Sequence, residues 1–192
     1  MKRIICFVLF VITVFSLYSC KEDITGLSKI RETTGREDEV YTGDVPENFF
    51  FSLRFGTYGE SSYDSQSGNL IKTRNSTDPE KFETTLILSE EEMREIYGLI
   101  RKININTYPD NYDPINPPDA VDKLMSIPYT TLSLTARCGI IPKTVHCESV
   151  AFGGDGYDEK SRAFLDCVYR IRNIIVSSEE WKALPDYEFL HE

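Results

Sequence analysis

The chain has 192 residues, 41% of them hydrophobic, and its 31 acidic and 21 basic side chains give a formal charge of −10. A field of that sign repels nucleic acid and anionic lipid, which argues against either as a general partner of the folded part. The five cysteines form no CxxC and the two histidines no HExxH, so zinc-site spacing is absent.

The chain opens with Met1-Lys2-Arg3, followed by fourteen mostly apolar residues from Ile4 to Leu17. As a helix that run would span about 21 Å, short of the roughly 30 Å hydrocarbon core, so it predicts a cleaved export signal and not a permanent span. The residues that follow, Leu17-Tyr18-Ser19-Cys20, resemble the lipobox of bacterial lipoproteins. There a small residue precedes an invariant Cys and a branched apolar residue lies three before it. Tyr18 departs from the family pattern, which has a smaller residue at that place.

The resemblance implies cleavage after Ser19 and a diacylglycerol thioether on Cys20. One acyl chain binds a bilayer weakly, whereas two or three hold it lastingly. Lys21-Glu22-Asp23 is similar to the export tag of surface-exposed lipoproteins, which leaves surface display and a periplasm-facing location both open. Losing residues 1–19 would remove Lys2 and Arg3 and no acid, leaving 19 basic and 31 acidic residues and a charge of −12.

From Lys21 to Glu47 the chain is charged, with few apolar positions and no sustained period, which predicts a tether. As a flexible coil its ends would average roughly 30 Å apart. The remainder, 48–192, is long enough for one domain with a core of its own.

Within it, Phe49, Phe51, Leu53 and Phe55 alternate with polar positions and predict a strand. Thr57 to Gly68 reads as a loop, Leu70 to Arg74 as a weaker strand, and Phe82 to Leu88 as a third. Ser89-Glu90-Glu91-Glu92 forms a capping-box pattern ahead of Met93, Ile96, Tyr97, Ile100 and Ile103, which predicts an amphipathic helix over 90–103. Five of the nine prolines fall between Asn104 and Pro128, which predicts an irregular loop. Tyr129 to Cys138 and Thr144 to Phe152 predict a hairpin, and Asp158 to Val176 a second helix with Phe164, Cys167, Val168, Ile171, Ile174 and Ile175 inward. Ser178 to Trp181 adds a turn of helix.

This order predicts an α+β fold: an antiparallel sheet of about five strands, βββα-loop-ββα, with two helices on one face. The stretch from Leu88 through the capping box to Tyr108-Pro109-Asp110 resembles small bacterial lipoproteins of uncharacterised function, a resemblance that implies no activity.

With Cys6 gone and Cys20 lipidated, Cys138, Cys147 and Cys167 remain. An oxidising compartment and opposed hairpin strands predict a Cys138–Cys147 disulfide, with pairing of Cys167 to either as the alternative. His146 and Cys147 are neighbours on a strand and point to opposite faces, which makes them a poor nucleophile pair. Asp110, Asp113 and Asp119, with Asn111, Asn116 and Asp122, are oxygen donors that calcium accepts, but the EF-hand order is missing and the same residues make turns. Gly153-Gly154-Asp155-Gly156 lacks the phosphate-loop ending and reads as a tight turn. No cofactor motif is present.

Tyr58, Tyr63, Tyr108, Tyr112 and Tyr157 fall in loops with Gly, Ser, Asn and Asp, a mixture that makes contact surfaces. Three functions compete on these observations. The first is a lipid-anchored, non-catalytic binding or accessory domain. The second is an immunity- or inhibitor-type lipoprotein whose acidic surface blocks a basic toxin or hydrolase. The third is an envelope hydrolase using carboxylates, which would need two of them converging in a pocket.

Overall fold

Alternation of apolar and polar side chains decides the architecture. In the computed structural model, which describes residues 41–58, 60–115, 130–150 and 157–186 (of 149 and 150 only the backbone), every strand except the edge strand Glu83–Thr85 turns one set of side chains inward. The described residues all belong to one compact unit, within 37–192. The signal, Cys20, Asp119, the Gly153–Gly156 turn and His191 lie outside the described residues.

The fold is α+β. One antiparallel sheet of six strands runs β4-β3-β2-β1-β5-β6. These are β1 (Phe50–Phe55), β2 (Ser61–Asp64), β3 (Asn69–Ile71), β4 (Glu83–Thr85), β5 (Thr130–Arg137) and β6 (Lys143–Val150). Among the described residues three α-helices join them, α1 (Glu90–Ile103), α2 (Glu159–Ser177) and α3 (Glu179–Ala183). Among the described residues the sheet therefore holds one strand more than the five expected, and the helices number three with α3 counted apart.

The added strand is β2, in the stretch expected to be a loop. Ser61-Ser62-Tyr63-Asp64 carries one apolar side chain, so its alternation is invisible to hydrophobicity. Its inward positions are Ser61 and Tyr63, both buried. Ser61 is satisfied there by donating its hydroxyl to the Lys72 carbonyl at 2.7 Å.

Phe51, Leu53 and Phe55 from β1 meet Leu132, Leu134 and Ala136 from β5 and Val145 and Cys147 from β6 on the buried face. Ile96, Tyr97, Leu99 and Ile100 of α1 and Phe164, Cys167, Val168, Ile171 and Ile175 of α2 close over it. The opposite face presents Ser52, Arg54, Ser62, Ser133, Thr135 and His146, none of them buried, as expected of an antiparallel sheet with one solvated side.

Helix ends follow their caps. Ser89 accepts from the Glu92 amide while the Glu92 carboxylate accepts from the Ser89 amide, and this reciprocal pair starts α1 where expected. Asp158 starts α2 by accepting from the Ser161 amide at 2.6 Å, and Ser178 caps α3.

The N-terminal part of the domain begins earlier than residue 48. Tyr41, inside the stretch expected to be tether, packs edge-on to Tyr97 at 5.4 Å between ring centres and accepts a hydrogen bond from Arg101 at 3.0 Å. Gly98 makes this possible. A Cβ there would stand 2.4 Å from the Tyr41 Cβ, closer than any real contact, so the glycine in the middle of α1 is a seat for the tyrosine.

Candidate functional site

The five loop tyrosines do not make one face. Tyr63 lies in the sheet core on β2, and its hydroxyl donates to the Leu86 carbonyl at 3.3 Å. Burial pushes its pKa up to about 12. Tyr58 lies at the β1–β2 connection, 48% exposed and with a positive φ of 53°.

Tyr108 and Tyr112 come together where the chain leaves α1, and Tyr157 stands two residues ahead of α2. Tyr108 and Tyr112 meet edge-on at 5.1 Å, and both pack on Phe164, at 5.1 and 5.6 Å. Tyr108 donates to the Lys160 carbonyl at 3.0 Å, while Tyr112 and Ser161 share a 2.6 Å hydrogen bond between hydroxyls. Lys160 lies over the Tyr108 ring at 4.7 Å and donates to the Thr107 carbonyl. Burial pushes Tyr108 up to about 12 and raises Tyr112 and Tyr157. The Tyr108 and Tyr112 hydroxyls already have partners in the fold, so the cluster fastens the proline-rich segment to α2.

The same segment covers an edge. Asn111 bridges to His146 in parallel, with Tyr112 N–H donating to the His146 carbonyl and His146 N–H to the Asp110 carbonyl, both at 2.8 Å. Asp110 also ion-pairs with Lys143. The exposed edge of β6 is thereby blunted.

For calcium, Asp110 is engaged by Lys143, Asp113 accepts from the Ile115 amide at 3.1 Å in a turn, and Asp119 lies outside the described residues. Among the described residues no three His, Cys, Asp or Glu side chains converge as a metal site would require.

The expected Cys138–Cys147 disulfide is not formed. The hairpin register sets Cys147 opposite Leu132 and Ala136 opposite Lys143, so Cys138 falls beyond the ladder, six residues along from the partner of Cys147. At about 3.3 Å per residue that is roughly 20 Å, against less than about 7 Å between the Cα atoms of a bridged pair. Cys138, Cys147 and Cys167 are all free thiols. Burial drives Cys147 up to about 12 and raises Cys138 and Cys167 as well, the reverse of what a nucleophile needs. His146 sits on the other face of its strand and contacts Glu148 at 3.4 Å.

Two features escape sequence reasoning. Lys72 is 5% exposed, donates to the Leu184 carbonyl at 3.0 Å, lies 5.6 Å from the Trp181 ring centre and ion-pairs with Asp186 at 3.6 Å. A signal for it exists, since it sits two residues after inward-facing Leu70 and so in phase with the core. The other is the β5–β6 turn, where Ile140 and Ile141 are 95% and 78% exposed. Turns take Gly, Asn, Asp and Ser by preference, and this one presents two isoleucines to solvent instead.

No helix among the described residues is long and apolar enough to cross a membrane. Compared with known proteins, the chain matches no protein family and no curated protein.

Proposed function

We propose that this chain is the precursor of a lipid-anchored cell-envelope lipoprotein whose folded part is a binding or accessory domain acting by contact. The observation that carries the reading is the succession of Lys2-Arg3, the apolar run Ile4 to Leu17, and Leu17-Tyr18-Ser19-Cys20. Cys20 holds the domain to the bilayer through its lipid, and the domain faces the periplasm or the cell surface. The domain's role as a contact module is supported by its chemistry, in which the displaced tyrosine and cysteine pKa values come from groups used as packing and not from paired acids and bases.

Palmitate labelling of the full chain, with Cys20→Ala as control, tests the anchor. Incorporation into the native chain and none into the variant is the expected result, and equal labelling of the two would overturn it. Repeated pull-downs from detergent-solubilised envelopes test the contact role, which a consistent failure to recover any partner would sink.

The acid surplus favours one second reading, an immunity- or inhibitor-type lipoprotein that neutralises a basic toxin or hydrolase. Its binding would weaken steeply as salt rises, and a gene for such a partner would stand beside this one.

A further inference from the structure

We propose that the β5–β6 turn is a second membrane contact, a hairpin tip whose Ile140 and Ile141 dip into the interface of the bilayer that carries the lipid anchor. The proposal rests on the anchor reading for its geometry.

Four large hydrophobic side chains are exposed among the described residues, Tyr58, Ile87, Ile140 and Ile141. Isolated ones are normal on any surface, but two adjacent at the apex of a turn are different. Gly139 beside them has nothing within 4 Å of the place a Cβ would take, so the apex stands clear of the domain.

Charge separates this site from the other exposed isoleucine. Arg137-Cys138-Gly139-Ile140-Ile141-Pro142-Lys143 holds two cations and no acid of its own, Arg137 lying over the Phe50 ring and Lys143 pairing with Asp110, so no net negative charge collects at this turn in a chain with 31 acids. Ile87, by contrast, stands just ahead of Glu90, Glu91 and Glu92. Apolar side chains on a tip without net negative charge suit a phospholipid interface, because nothing there repels the headgroup phosphates while the isoleucines enter.

Position supplies the occupant. Phe50 at the start of β1 is in register with Arg137 at the end of β5, so the chain coming from Cys20 joins the domain at the same end of the sheet as the turn. Tyr41 fixes that approach by its contacts to Tyr97 and Arg101. The 20 residues between Cys20 and Tyr41 span at most about 70 Å even when fully extended, so an anchored domain stays near its bilayer. At the high effective concentration such tethering creates, a tip too weak to bind free vesicles is held on the surface. The acid surplus of the chain matches a zwitterionic bilayer better than an anionic one.

The test uses the full chain, recovered from membranes in detergent and reconstituted on phosphatidylcholine vesicles with and without brominated acyl chains. Ile140→Trp places a reporter at the apex, and the native chain, whose sole Trp181 packs on Phe55 at the far end of β1, gives the baseline. The expected result is at least a two-fold loss of the added emission on brominated vesicles, abolished by Ile141→Asp in the same chain, with the Trp181 signal unchanged. Flotation of the vesicles reads the anchor separately. If the chain does not float, Cys20→Ala carrying an N-terminal histidine tag on nickel-chelating lipid holds the same domain at the surface and the quenching is read there. Vesicle-bound Ile140→Trp chain whose added emission is unquenched in both formats overturns the proposal. So does a blue shift of that added emission without lipid that tracks dimer formation on a sizing column, since the tip then packs against a second copy.

Discussion

The two halves of the sheet are held by different means. On one side, β1, β5 and β6 are six, eight and eight residues long and bury Phe51, Leu53 and Phe55, Leu132, Leu134 and Ala136, and Val145 and Cys147. On the other, β2, β3 and β4 have four, three and three residues, and their inward positions include buried Ser61 and Tyr63. Strands that short cannot bury enough apolar surface to hold themselves. The short half is instead clamped by polar anchors: Ser61 on the Lys72 carbonyl, Lys72 on the Leu184 carbonyl, and Trp181 of α3 over both Lys72 and Phe55. A fold can thus extend a sheet through strands that offer the core little beyond Tyr63 and Leu70 if a helix from elsewhere in the chain closes over the addition.

The largest effect should come from the long half. Leu134 is fully buried between Leu53 on β1 and Val145 on β6, and Leu134→Ala should cost about 2–5 kcal/mol, read by urea unfolding. Cooperative loss of the whole domain is the expected form. Trp181→Ala should cost about 3 kcal/mol, and the distribution matters more than the sum. Amide exchange should accelerate in β2, β3 and β4 and much less in β5 and β6; uniform acceleration across all six strands would erase the distinction between the halves.

Lys72 tests whether the clamp works through charge or through its stem. Lys72→Ala removes the packing on Trp181 and should cost about 2 kcal/mol. Lys72→Met keeps the stem and removes a buried charge, and it should fall within about 1 kcal/mol of the native protein, because pairing with the fully exposed Asp186 recovers little against the desolvation of the ammonium. A Met variant as unstable as the Ala variant would show that the hydrogen bond to Leu184 and the ion pair to Asp186 dominate.

The same division explains how much is legible in the sequence. The long half and the helices announce themselves: Phe51, Leu53 and Phe55 alternate, and Ser89 with Glu92 marks the first residue of α1. In the short half β2 is spelled Ser-Ser-Tyr-Asp, where the inward serine is inside because of a hydrogen bond and not because of hydrophobicity. The hairpin is visible in the residues, but its register is not. Its turn, Cys138 to Pro142, lacks the Asn-Gly type of dipeptide that fixes pairing, so alternation alone pairs two cysteines that stand about six positions out of line. Tyr63 and Tyr108 read as loop surface because polar and turn-forming residues surround them, yet each is held in the core by a carbonyl that accepts a hydrogen bond from its hydroxyl. Ile140 and Ile141 are plain in the sequence as residues, but exposure depends on the turn standing clear of the domain, which is a tertiary fact.

The smallest predicted effect calibrates the long half from its surface. Asp158 caps α2, and the amide hydrogen bond from Ser161 holds its carboxyl below the usual range. A carboxyl whose folded pKa is depressed contributes stability above its unfolded pKa, about 3.9, and loses it as pH falls through the lower folded value. Asp158→Ala should therefore cost about 1 kcal/mol at pH 7, and the difference from the native protein should shrink as pH drops below about 4. Asp158→Asn, which caps without a charge, should show a smaller loss at pH 7 and little change with pH. Because α2 packs on β1 and β5, the loss should appear in global urea unfolding and leave the relative exchange rates of β2, β3 and β4 unchanged. A penalty for Asp158→Ala that stays constant from about pH 7 to about pH 3 would mean that the cap acts through its geometry alone, and the long half would then owe nothing measurable to charge at this position.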